Sequence, residues 1–73
     1  MDPLEAISEP RRREILARIA EGGSVAVSYL AATMPVSLPA LSQHLRVLLV
    51  AGVVLERRDG RRRLYRVNPE GLR

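Results

Sequence analysis

Residues 57 to 66 contain six arginines, Arg57, Arg58, Arg61, Arg62, Arg63 and Arg66, with Asp59 between them. Such a run repels itself unless an anion compensates. The guanidinium is planar, keeps its charge near neutrality and presents a fork that fits phosphate oxygens and guanine edges. A polyanion is therefore the first candidate partner, and Arg58, Arg61, Arg62 and Arg63 are the candidate contacts. The blander role for these charges is to keep an edge strand from pairing with another sheet.

A second cluster lies upstream: Ser37, Leu38, Pro39, Ser42, Gln43, His44 and Arg46. Gln43 can bond an adenine edge or a phosphate, Arg46 a phosphate or guanine, and Ser37 and Ser42 phosphates. Leu38 offers apolar contact, as to a thymine methyl. His44 stands alone, and a lone helical histidine suits a packing or phosphate contact better than a metal site.

Composition excludes other chemistries. With no Cys and one His, thiolate metal sites, thiol nucleophiles and histidine cages are unavailable. No Ser-His-acid arrangement, nucleotide-phosphate glycine loop or carboxylate cluster can be assembled, so the reading is a non-enzyme without cofactor or metal. Aromatic residues make up 3%, too few for single-strand binding by stacked rings. All twelve basic residues are Arg, and the formal charge is +4. It is unevenly placed: residues 1–44 hold four Arg against five acids, net −1, and residues 45–73 hold eight Arg against three, net +5.

These residues need elements to position them. Asp2-Pro3 opens a turn or two of helix over Leu4 to Ile7. Pro10 to Ala20 follows, capped by Ser8 or Glu9 and stopped by Gly22-Gly23. Ser24 to Val27 reads as a short extended link, and Val27 to Met34 as a brief helix ended by Pro35. Ser37 then caps the clearest helix, whose Leu38, Leu41, Leu45 and Leu48 recur at helical spacing before Gly52. Two helices joined by a few residues, the second with a polar outer face, form a helix-turn-helix. Val53 to Arg58 and Arg61 to Val67 flank Asp59-Gly60, the dipeptide of a two-residue type I′ hairpin turn. Glu70 to Arg73 is placed to begin another helix. The fold class is mainly α with a small β-hairpin: one winged helix-turn-helix domain over residues 1–73, with the helix-turn-helix at about 27–51 and the wing at about 53–67.

In this order and spacing, four stretches resemble the ArsR/SmtB-type bacterial repressors. They are Glu9-Pro10-Arg11-Arg12-Arg13-Glu14-Ile15-Leu16, the segment from Val36 through Ser42-Gln43-His44-Leu45 to Leu48, Ala51-Gly52-Val53-Val54, and Arg58-Asp59-Gly60 through Tyr65 to Val67. The resemblance implies a homodimeric repressor that sets its second helix in the major groove of a palindromic double-stranded operator, with the wings on flanking backbone. It also implies that Tyr65 holds the wing to the body. Where metal-sensing relatives carry Cys-Val-Cys, this chain has Ala26-Val27-Ser28, so metal sensing there is excluded. The chain ends at Arg73, before the C-terminal helix that helps relatives dimerise; that implies either a longer chain or another dimer contact. Leu49 and Val50 replace residues usually charged in relatives, and their apolar surface, with Leu4 and Ile7, is the candidate dimer or partner interface.

The longest apolar stretch, Val47 to Leu55, is broken by Gly52 and falls short of the roughly 20 residues that span a bilayer. With an acidic N-terminus and no signal peptide, the chain reads as soluble and cytoplasmic, with no membrane partner. Two alternatives compete with an operator-binding repressor: a winged-helix protein-interaction module and a binder of structured RNA.

Overall fold

Three helices begin at a side chain that accepts a hydrogen bond from the free N–H groups of the first turn. The computed structural model describes residues 1–71. Helix α1 is Pro3–Ala6, and the Asp2 carboxylate accepts from the Leu4 N–H at 3.0 Å. Helix α2 is Pro10–Gly22, where Glu9 accepts from the Arg12 N–H at 2.8 Å. That hydrogen bond holds the Glu9 carboxyl below its ordinary range. Helix α3, Val27–Thr33, starts without a side-chain cap. Helix α4 is Leu38–Val50, with the Ser37 hydroxyl accepting from the Ala40 N–H at 3.3 Å. Prolines occupy the first turns of α1, α2 and α4, where a missing N–H costs nothing.

The sheet has three antiparallel strands, β1 (Val25–Ala26), β2 (Val54–Asp59) and β3 (Arg62–Val67), in the order β1-β3-β2. The segment expected as an extended link is thus an edge strand, pairing Val25 with Tyr65 and Ala26 with Leu64. Its partners lie far along the chain, so no local period reveals it.

The hairpin turn also differs from expectation. Asp59 pairs with Arg62, and the two loop residues are Gly60 and Arg61 rather than Asp59-Gly60. Gly60 has φ +64°, and no residue other than glycine has positive φ among those described. A type I′ turn needs positive φ at both central positions, whereas one glycine at the first is the type II′ arrangement. With Gly60 first in the loop, a type II′ turn needs positive φ at the glycine alone, so neither Asp59 nor Arg61 takes up left-handed backbone.

The core gathers Ala6, Ile15, Ile19, Leu30, Leu41, Leu45, Leu48, Val53 and Val54, none more than 1% exposed. Residues 41, 45 and 48 share the buried face of α4. Leu38, expected to continue that stripe, is 57% exposed, because it sits in the first turn and lines a groove facing the hairpin. The expected Leu49–Val50 patch is divided. Leu49 packs against the core, partly buried, while Val50 remains 66% exposed.

Arg12 and Arg13 serve the frame. Arg12 Nε donates to the Ala6 carbonyl at 2.6 Å, and Arg13 donates to the Ser8 and Ile7 carbonyls at 2.9 and 3.2 Å. They satisfy acceptors at the end of α1 that lack helical partners. Glu14 binds Arg11 at 2.7 Å and Arg18 at 3.4 Å. The helix expected at Glu70–Arg73 falls partly outside the described residues; Glu70 and Gly71 lie in a turn, with the Gly71 N–H on the Asn68 carbonyl at 2.9 Å. No described helix is long and apolar enough to cross a membrane.

Candidate nucleic-acid interface

Burying Leu41, Leu45 and Leu48 fixes the rotation of α4 and turns its other face outward. Ser37, Leu38, Pro39, Gln43 and Arg46 are exposed, and Ser42 is partly exposed. At 1.5 Å per residue the thirteen residues of α4 make a rod of about 20 Å, and a helix of ordinary diameter fits a major groove about 12 Å wide.

The wing meets this helix across an open groove of about 720 Å³. Leu38 and Ser42 line one side, Arg61, Arg62 and Arg63 the other, and Ala26, Val27, Ser28, Ala31 and Ala32 lie between. The structure thereby brings the tip arginines and the start of α4 to one concave surface. Gln43 and Arg46 lie outside it, farther along the exposed face of α4. Ser28 borders the groove and was overlooked as a polar contact; its place at the start of an amphipathic helix was the available signal.

The arginines divide by employment. Arg11, Arg12, Arg13 and Arg18 each have a partner within the body. Among the described residues Arg46, Arg57, Arg58, Arg61, Arg62 and Arg66 form no ion pair. The excess positive charge is therefore unspent at the wing and on α4.

The base of the wing is more ordered chemically. Strand partners share a face of the sheet, so Val54–Val67, Glu56–Tyr65 and Arg58–Arg63 form successive rungs of one face. Tyr65 is 3% exposed and donates its hydroxyl to Glu56 Oε2 at 2.6 Å. Arg63 Nη1 lies 3.7 Å from the same oxygen. Burial, reinforced by the bond to Glu56, pushes the Tyr65 phenol up from 10 to about 12. The folded state then retains this proton more tightly than the unfolded chain. Its contribution to stability is complete below pH 10 and is lost as pH rises towards about 12. Urea midpoints measured across that window should fall for the wild type and fall less for Tyr65→Phe; parallel curves would contradict the assignment.

His44 stands apart from the other predicted contacts. It is partly buried, with Nδ1 3.9 Å from Glu9 Oε2 and without a hydrogen-bond partner among the described residues. It packs α4 against the start of α2. At the predicted interface patch Leu4 is 69% and Val50 66% exposed, whereas Ile7 and Leu49 are partly buried against the core.

The positions matching a thiolate metal site do not suit one. Ala26 and Val27 are buried core residues and Ser28 offers only a hydroxyl. No group of three His, Cys, Asp or Glu side chains comes together among the described residues.

A helix-turn-helix with a basic hairpin beside its second helix defines a winged helix. Residues 7–57 match the family described as "Helix-turn-helix domain". The HTH-type transcriptional regulator Rv2034 of Mycobacterium tuberculosis is 47% identical over 68 residues, covering 93% of this chain and 63% of that protein. This chain thus spans less than two thirds of that relative. The crystal structure of a possible transcriptional regulator for arsenical resistance superposes with a TM-score of 0.85 at 49% identity, covering 99% of this chain and 74% of the other. The solution structure of the homodimeric winged helix-turn-helix DNA-binding domain of Mb0332 from Mycobacterium bovis, a possible ArsR-family regulator, gives a TM-score of 0.85 at 34% identity, covering 93% and 62%. The chain belongs to the ArsR-type winged helix-turn-helix transcriptional regulators, a family of regulators rather than enzymes.

Proposed function

We propose that this chain binds double-stranded DNA as a transcriptional repressor, seating α4 in the major groove of a palindromic operator. The observation that carries the reading is the unspent charge: Arg46, Arg57, Arg58, Arg61, Arg62 and Arg66 have no internal counter-ion among the described residues and Arg63 only a loose one in Glu56, while the arginines of the body are all engaged. Arginine–phosphate contacts supply most of the affinity. Ser37, Leu38, Ser42, Gln43 and Arg46 supply discrimination, and Arg58, Arg61, Arg62 and Arg63 hold the backbone.

The operator-bound form is a homodimer, as the Mycobacterium bovis domain is described to be. The exposed Leu4 and Val50, on helices that pack together, belong to the subunit surface. Such a regulator works in the cytoplasm. Selection from a random duplex pool tests the proposal: a palindrome with half-sites about one helical turn apart is the expected winner. Equal retention of all sequences would contradict sequence-specific regulation.

A further inference from the structure

One oxygen at the base of the wing has two suitors. Glu56 Oε2 accepts the Tyr65 hydroxyl at 2.6 Å, while Arg63 stops at 3.7 Å, beyond the 2.7–2.9 Å of a charge-assisted bond. Tyr65 is anchored by burial, so the carboxylate is held from behind by a rigid phenol. On the same sheet face Arg58 and Arg63 stand directly opposite one another, a like-charge pair that is unfavourable without an anion. Glu56 is near enough to steady that pair and too firmly held to close on Arg63.

We infer that Tyr65 and Glu56 are positioning residues for phosphate binding, with Tyr65 holding the Glu56 carboxylate off Arg63 so that Arg63, facing Arg58, remains available to a DNA phosphate. This rests on the reading of the wing as a DNA contact. The carboxylate keeps the arginine side chain near its working place at low entropic cost, and the tyrosine prevents that loose ion pair from closing into a hydrogen-bonded one that would compete with phosphate. Neither residue touches the nucleic acid.

The device predicts changes of opposite sign. Glu56→Gln removes the competing charge, so affinity rises about threefold and the salt dependence steepens by up to ~0.9 per wing. Tyr65→Phe keeps the buried ring but releases the carboxylate, which closes on Arg63; affinity falls several-fold and the salt dependence flattens. The double variant should behave like Glu56→Gln, because without the carboxylate charge there is nothing for the phenol to restrain.

The test is fluorescence anisotropy of the 73-residue chain and its three variants on a labelled random-sequence duplex about three helical turns long, across a salt series. Thermal melts followed by circular dichroism verify the fold of each variant. The opposite signs, with the double variant matching Glu56→Gln, support the inference. Equal losses in both single variants would mean a merely structural pair and would overturn it. So would a Tyr65→Phe defect that persists in the double variant. Should Tyr65→Phe fail to fold, Glu56→Gln decides alone by the sign of its effect. Wild-type protein that binds no duplex at any salt would overturn the DNA reading itself, and this inference with it.

Discussion

Replacing Arg61, Arg62 and Arg63 together with Ala is expected to lower affinity for any DNA duplex by roughly 10²- to 10³-fold per wing at about 0.1 M salt. Each neutralised phosphate releases close to one counter-ion, so each contact contributes about 0.9 to the log–log salt slope and nearly a decade of affinity at that salt. Three contacts give a slope loss of about 3 per wing. Fluorescence titration at several salt concentrations reads both quantities. The fold should persist, since these side chains are exposed or half-exposed and only Arg63 has a nearby acid. Removing mutually repelling charges should leave stability within about 0.5 kcal/mol of wild type. An unchanged salt slope would show that the arginines serve solubility, as charges on edge strands often do.

Leu45→Ala should have the largest effect on stability. Leu45 is 1% exposed within the core cluster and lies on the helix that presents Gln43 and Arg46 outward. Truncating a buried leucine costs about 2–5 kcal/mol, through lost transfer free energy and the cavity left behind. Small domains have only about 5 kcal/mol to lose and bury a modest share of their surface. The variant should therefore be largely unfolded at 37 °C and lose DNA binding for that reason. Gln43→Ala, at an exposed position, should leave the melt unchanged. Urea unfolding checks both, and a loss below about 1 kcal/mol for Leu45→Ala would contradict the close packing of α4.

The helices were legible because their ends are written locally. Asp2, Glu9 and Ser37 with the following prolines announced their starts, and Gly23 and Gly52, at φ +80° and +78°, their ends. The hairpin was legible but its register was not. A loop at Asp59-Gly60 would set Arg63 opposite Glu56, whereas the loop at Gly60-Arg61 sets Tyr65 there and creates the bond at the base of the wing. The dipeptide rule favoured the wrong pair because it does not weigh the left-handed backbone that a type I′ turn would impose on Asp59, the non-glycine at its first position.

Long-range facts were beyond the pattern. The pairing of Val25 and Ala26 with β3, the exposure of Leu38 and the burial of Leu49 depend on neighbours distant in sequence. The outward facing of Ser37, Gln43 and Arg46 was readable from polarity opposite a leucine stripe. For His44 the sequence left packing and phosphate contact open, and its place against Glu9 depends on another helix. The employment of Arg12 and Arg13 on α1 carbonyls needed coordinates, as composition counts them with the rest.

The central claim is that α4 reads sequence while the arginines supply sequence-independent attraction. The most direct measurement is a salt-series titration of the selected duplex and a scrambled one, using wild type and the Gln43→Ala/Arg46→Ala double variant. The account predicts that wild type prefers the selected duplex by at least ~10³-fold. The double variant should lose most of that preference while retaining much of the salt dependence through its wing. Equal affinity of wild type for both duplexes, or a variant that keeps the full preference, would contradict it.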